Sequence, residues 1–337
     1  MNIRDEVTKF CSRIGGDPLL VQGAGGNVSW KDGDTLWIKA SGTWLAEADK
    51  KEIFVSVELS SLTNAFSHGD FTISPIVRGQ SNLRPSIETL LHALMPHKIV
   101  VHVHAIEVLA HLVKRDCEYT IRTLIGDEVK WKLVDYYKPG SRLAEAVSYL
   151  LAEDSIDVVF LKNHGVVIGG DNIDDIISLM NFLNEKMKSP QILSIESSQS
   201  PPEIIINENT TYYPVLSRVH ELATNPNYYT RLKKDWALYP DHVVFLGSLP
   251  FIYENFDDFS KEIRRLEDKL RPDVIFIKDV GVFLRENINK AQLQQLRCYY
   301  EVLTRLKSEE ILSTLSDIEV IDLVSWDAEE YRKSIGK

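Results

Sequence analysis

The chain has 337 residues, 44% of them hydrophobic and 26% charged, which is enough to bury a substantial core in one large domain or two modest ones. A formal net charge of −11 argues against a nucleic-acid footprint and against attraction to anionic membrane surfaces, although it leaves room for a local basic pocket. Cys11, Cys117 and Cys298 are far apart and share no ligand spacing, so neither a disulfide framework nor a thiolate metal site is expected.

The first segment, "MNIRDEVTKFCSRIGG", reads as an amphipathic helix without the long apolar run of a signal peptide, and no later run is long enough to span a bilayer. A cytoplasmic protein is the expectation. "LLVQGAGGNVSWKDGDTLWIKASGTWL" reads as short strands broken by glycine turns. "SIETLLHALMP" reads as a helix started by Pro85 and Ser86 and stopped by Pro96. The strand "IVVHVH" follows, then a helix through "EVLAHLVKR". "GSRLAEAVSYLLAE" is another helix, with Ser141 as its expected N-cap. "IDVVFLKNHGVVIGG" reads as two buried strands around a turn, and "NIDDIISLMNFLNEKM" as a further helix. Strands mixed with helices, without regular βαβ alternation, predict α/β layers around a mixed or antiparallel sheet.

Residues 189–211 are rich in Ser, Pro and Gln and read as a linker or long surface loop. They divide the chain into a first domain, 1–188, and a C-terminal α/β extension, 212–337. The extension carries an echo of the first domain. "DVVFLKNHGVVI" begins at Asp157 and "DVIFIKDVGVFL" at Asp273, so that Phe160, Lys162 and Gly165 recur as Phe276, Lys278 and Gly281, each segment followed by an Asn-Ile helix start. This is read as a degenerate repeat. Val280 stands opposite His164, so the second copy is expected to be metal-free. A weaker echo sets Leu246 and Ser248 opposite His102 and His104, and is read as chance similarity.

The chemistry gathers in the first half. In a strand, His102 and His104 project from the same face, with Val101 and Val103 on the other. Neutral imidazole is a good ligand for a divalent transition metal, and a catalytic zinc usually takes three protein ligands. His164, followed by Gly165 that would permit a sharp bend, is the third candidate. A lone histidine on an apolar strand is more often a hydrogen-bonded core residue; the His-x-His pair with a turn histidine downstream tips the balance towards metal. His92, His97 and His111 lie on helices or at a helix end and read as surface or packing residues. Glu88, at the start of the preceding helix, is either an acid complementing the helix dipole or a general acid/base close to the metal. "GAGGNVS" and "KASG" offer backbone N–H groups with Asn27, Ser29 and Ser41, a chemistry that can cradle a phosphate or carboxylate, although most such loops are only turns.

In this order, "GAGGNVS", "IKASG", "RPSIET", "HVHA" and "KNHG", with "YYKPGSRLAEAV" at 136–147, resemble the class II aldolase/adducin family over about residues 1–187. The C-terminal part resembles the end of aldolase domains fused to short-chain dehydrogenases, although these residues lack the G-x-G-x-x-G strand–turn–helix fingerprint of such a dehydrogenase. The resemblance implies a three-layer α/β/α fold with a central, mainly antiparallel sheet, and a homo-oligomer, a tetramer. It implies zinc (Zn2+, or another divalent transition metal) held by His102, His104 and His164, with Glu88 as the proton-transferring carboxylate. Tyr136 would protonate the departing carbonyl product, across a subunit boundary; its alternative is a packed surface ring. An anionic end of the substrate would lie among Gly26, Asn27, Ser41, Gly42 and Ser86. Aldolases of the family usually have Ser-Ser before the glutamate. Ser86-Ile87 here removes one hydroxyl, and Arg84 or Lys39 could replace it, which would also suit a carboxylate. The implied activity is a zinc-dependent aldolase acting on a ketose phosphate or hydroxy-keto acid by way of an enediolate. A dehydratase or 4-epimerase on the same metal site is the alternative, and a non-catalytic, adducin-like interaction module the rival of another kind.

Overall fold

The computed structural model describes residues 2–152, 155–193, 201–207, 210–215 and 218–335. The chain divides into two compact units, one formed by Met1–Ser189 with Ser325–Lys337, the other by Pro190–Val324. The extension expected over 212–337 therefore ends earlier, and the last residues return to the first unit.

In chain order, the first unit contains α1 (Ile3–Gly15), β1 (Asn27–Asp32), β2 (Thr35–Lys39), β3 (Phe54–Glu58), α2 (Leu59–Ser67), α3 (Thr89–Leu94) and β4 (Ile99–Val103). It continues with α4 (Ile106–Leu112), α5 (Cys117–Ile125), β5 (Trp131–Val134), α6 (Ser141–Leu151), β6 (Val158–Leu161), β7 (Gly165–Gly170) and α7 (Ile173–Lys186). Its seven strands form one sheet in the order β3-β2-β1-β4-β7-β6-β5. Every neighbouring pair is antiparallel except β5 with β6. Both faces are covered, as the three-layer expectation requires. On one, Ile99, Val101 and Val103 pack with Phe10 of α1, Val108 of α4, Ile121 of α5 and Ile176 of α7. On the other, Val100 packs with Leu91 of α3 and Leu143 and Val147 of α6, while Leu62 of α2 covers Leu36, Ile38 and Val57 nearby. The period-2 alternation of β4 thus sends Ile99, Val101 and Val103 to one layer and Val100 and His102 to the other.

Three local expectations change. Helix α3 begins at Thr89, not at Ser86, with Glu88 at its N-cap position. Ser141 is the first helical residue of α6, and the cap is Gly140 at φ 106°, a backbone conformation that Ser would strain to adopt. At the tip between β6 and β7 the left-handed residue is Asn163, φ 54°, rather than Gly165. Asn tolerates that region because its short side chain bonds locally.

The second unit contains β8 (Ile204–Asn207), β9 (Thr210–Pro214), α8 (Glu221–Thr224), α9 (Pro226–Lys234), α10 (Pro240–Leu246) and β10 (Phe251–Tyr253), then α11 (Phe256–Ile263), β11 (Val274–Ile277), β12 (Gly281–Arg285), α12 (Lys290–Leu303) and α13 (Asp317–Val324). Strand β8 lies inside the stretch expected to be linker: the Ser/Pro-rich composition of 189–203 obscured the β-branched run Ile204–Ile206. Residues 194–200 and 208–209 of that stretch lie outside the described residues. Its sheet runs β10-β11-β12-β9-β8, with β10 and β11 parallel and the other pairs antiparallel. That order and those directions match β5-β6-β7-β4-β1 strand for strand. The tips match as well, Asp279 at φ 58° corresponding to Asn163 at φ 54°. Asn172 caps α7, whereas the cap of α12 is Asn289, immediately after the Asn287-Ile288 pair, with Gln292 completing a capping box. The weaker echo has no structural counterpart, because "PDHVVFL" forms helix α10 and not a strand. The final helix, α14 (Asp327–Ile335), belongs to the first unit. No helix among the described residues is long and apolar enough to cross a membrane.

Candidate active site

His102 is the fourth residue of β4 and His104 lies just past the strand's end, so alternation carries both to the same side. His164 reaches them from the β6–β7 tip. The ring centroids lie 4.9 Å apart for His102 and His104, 4.8 Å for His102 and His164, and 5.3 Å for His104 and His164. One ligating atom from each lies within 4.8 Å of the others, and all three residues are buried. The approach depends on Gly165, where a Cβ would stand 2.6 Å from the Val103 carbonyl oxygen, 2.9 Å from His104 Cδ2 and 3.0 Å from His102 Cε1. The glycine serves close passage of β7 across the histidines, not the bend.

His102 Nδ1 lies 3.1 Å from the Val166 carbonyl oxygen. The carbonyl can only accept, so Nδ1 carries the proton and Nε2 keeps a lone pair. That lone pair faces His104 Nε2 at 3.1 Å. A carbonyl that fixes the tautomer while the other ring nitrogen converges with further imidazoles is the arrangement of a metal-ligating histidine. The donor set therefore fits a divalent transition metal at His102, His104 and His164.

Glu88 stands against this cluster, with Oε2 3.5 Å from His102 Nε2 and Oε1 3.6 Å from His164 Nε2. Its side chain makes no capping bond to α3 and instead accepts from Asn27 Nδ2 at 2.7 Å. Burial by itself would raise this carboxyl; the neighbouring His102 and His164 imidazoles, the Asn27 amide and His92 bring it down to about 2. Glu88 is thus held ionised. His92, four residues on and on the same helix face, is a participant that the sequence reading assigned to packing. Its Nδ1 lies 2.7 Å from Ser29 Oγ, and burial pushes the ring down to about 3 against the pull of Glu88. The Glu-x-x-x-His spacing was the available clue.

The residues expected around an anion converge on the same place. Asn27 pairs with His102 across β1 and β4 and also donates to Ser86 Oγ at 3.3 Å. Gly26, φ 61°, passes so close to β4 that a Cβ there would lie 2.8 Å from the His102 carbonyl oxygen. The Lys39–Gly42 loop is stitched to the segment before Glu88: Ser41 N–H donates to the Arg84 carbonyl at 2.9 Å and Ser86 N–H to the Lys39 carbonyl at 3.2 Å. Lys39 is buried, and its Nζ donates to the Ala24 and Ala40 carbonyls at 3.2 and 3.4 Å. Arg84 is exposed. Tyr136 is half-buried on the loop after β5. That loop ends at Gly140, where a Cβ would lie 3.8 Å from the Ile87 carbonyl oxygen.

A family model described as the class II aldolase and adducin N-terminal domain matches residues 5–189. The chain belongs to that family. Among its relatives is an L-fuculose phosphate aldolase of Methanocaldococcus jannaschii, 28% identical over 193 residues that cover 55% of this chain and 93% of that protein. A second, from Methanococcus maripaludis, is 30% identical over 194 residues, covering 53% and 91%. A protein named uncharacterized oxidoreductase YuxG, of Bacillus subtilis, is 23% identical over 317 residues. That match covers 80% of this chain and 45% of the relative, so the chain spans about half of that protein's length. Among solved structures, the N-terminal class II aldolase domain of a conserved Thermoplasma acidophilum protein is 26% identical with a TM-score of 0.47, covering 56% of this chain and 92% of the other. As a class II aldolase family member, the chain carries its candidate metal-binding histidines and Glu88 within the matched region.

Proposed function

We propose that this chain is a zinc-dependent aldolase that cleaves and forms a C–C bond in a ketose phosphate or hydroxy-keto acid, by way of an enediolate. The observation that carries this reading is Glu88, an ionised carboxylate 3.5–3.6 Å from two of three converging imidazoles. A divalent cation held by His102, His104 and His164 would supply Lewis-acid stabilisation of negative charge on substrate oxygens.

Glu88 is the proton carrier in this scheme. Asn27 orients it by donating to Oε2, and burial shields it from water, so a substrate proton can move to a fixed acceptor. The backbone and side-chain groups of Gly26, Asn27, Ser41, Gly42 and Ser86, with Lys39 and Arg84, hold the anionic end of the substrate. Ile87 contributes no hydroxyl, so Arg84 and backbone N–H groups carry more of that load. In the bond-forming direction Tyr136 protonates the oxygen of the incoming carbonyl fragment in the assembled homo-oligomer; in cleavage the same hydroxyl proton leaves by that route. The second unit is read as a degenerate, metal-free copy of the first unit's sheet, a reading supported by the matched strand order and turn conformations.

The decisive experiment incubates the zinc-loaded chain with ketose 1-phosphates and hydroxy-keto acids and follows the products. An aldolase releases two carbonyl fragments, detectable by coupled reduction with NADH. A product of unchanged mass would replace this reading with epimerisation, and one lighter by a water with dehydration. A chain that holds no metal would favour a non-catalytic interaction module.

A further inference from the structure

Three of the elements assigned above to substrate binding are touched by a segment that the aldolase-family match does not include. Helix α14 lies in the first unit although the whole second unit intervenes in sequence. The Arg84 guanidinium carbon lies 4.4 Å from the centroid of the Tyr331 ring. Gly42, at φ 79°, faces the same helix: a Cβ there would stand 2.6 Å from Ile335 Cβ and 3.0 Å from the Arg332 carbonyl oxygen. Trp326, just before the helix, reaches the Tyr136 loop, with Lys138 Nζ 5.0 Å from its ring and a Cβ at Gly140 3.5 Å from its Cη2.

We propose that Tyr331 is a positioning residue that holds the Arg84 guanidinium for the anionic group of the substrate, phosphate or carboxylate. The backbone of Arg84 is already tied to the loop through Ser41 N–H, at 2.9 Å. Its side chain is the part left exposed, and a long flexible cation in water loses rotamer freedom when it binds a ligand. An aromatic face removes part of that cost. A guanidinium lying over an aromatic face still has N–H donors to offer a phosphate or carboxylate. Of the two cations on this helix, Arg332 and Lys333, Arg332 is buried and faces Glu329 at 3.3 Å. The Tyr331 hydroxyl is buried without a hydrogen-bond partner among the described residues, so the ring and not the oxygen makes the identified contact.

This inference rests on the substrate-cradle reading, and the test separates the two. Binding of inorganic phosphate and, separately, of acetate is titrated calorimetrically against the full chain and Arg84→Ala, Tyr331→Leu, Tyr331→Phe and the Arg84→Ala/Tyr331→Leu double variant. Metal content and melting temperature are recorded for each. The expectation is that Tyr331→Leu weakens the bound anion by about two- to fivefold, the scale of an exposed cation–π contact, while Tyr331→Phe stays close to the parent. In the Arg84→Ala background, Tyr331→Leu should have no further effect. Binding of neither anion, or binding indifferent to Arg84→Ala, would overturn the cradle reading and the positioning role with it. Sensitivity to Arg84→Ala with no response to Tyr331→Leu would overturn the positioning role alone. So would an effect of Tyr331→Leu that persists without Arg84, or equal losses in the Leu and Phe variants.

Discussion

Gly165 and Val103 pass so closely that a methyl group on the glycine would stand 2.6 Å from the valine's carbonyl oxygen. The strand carrying His102 and the turn carrying His164 are brought into register by this contact, since Val103 pairs with Val166 across β4 and β7. Gly165→Ala must therefore push the two strands apart. The expected cost is about 1–3 kcal/mol of stability, the scale of an overpacked core, with weakened metal retention. Urea denaturation and metal analysis of the same preparation check this; an alanine variant with the parent's stability and metal content would contradict it.

The histidine cluster predicts close to one divalent metal per chain in protein purified without chelator. His104→Ala removes one of three ligands and should lose most of it, and the triple alanine variant should lose all. Elemental analysis reads this directly, and full metal in the triple variant would remove the histidines from consideration.

Glu88→Gln keeps the size of the side chain and an oxygen for Asn27 to donate to, but removes the charge. If Glu88 carries the proton, this variant should fold, hold metal and lose turnover by about 10²–10⁴-fold. Near-normal turnover would reduce Glu88 to a structural acid at the start of α3.

His242 in the second unit makes a separate pH prediction. It is fully buried among the rings of Trp236, Tyr239 and Tyr299, and neither ring nitrogen has a hydrogen-bond partner among the described residues. Burial pushes its pKa from 6.5 down to about 3. Between those values the unfolded chain binds a proton that the folded chain refuses. The stability contribution is therefore complete above pH 6.5 and is lost as pH falls towards 3, by up to about 1.4 kcal/mol per pH unit. His242→Leu should flatten the fall in stability between pH 6.5 and 4.5, measured by urea unfolding across that range. An unchanged slope would show that another group governs acid lability.

The sequence by itself determined the parts of this site that depend on periodicity and residue chemistry. Alternation along "IVVHVH" put His102 and His104 on one side of a strand whatever the strand paired with. Their chemistry, with His164 and Glu88, indicated a metal and a proton carrier, and the order of the motifs indicated the family. Glu88 nevertheless remained ambiguous between capping a helix and serving a metal, because both roles place a carboxylate at the same helix start. The tertiary structure adds what the local sequence lacks: Asn27 pairs with His102, and the carboxylate makes no capping bond and turns onto Asn27 and the imidazoles. The same limit hid the roles of Gly165 and Asn163, since close passage and bend are set by packing of β7 on β4. It hid the C-terminal helix most completely. Nothing local in "DAEEYRKSI" points to Arg84 or Gly42, because a contact across more than two hundred residues is decided by how the chain returns to the first unit, not by the pattern of its own turn.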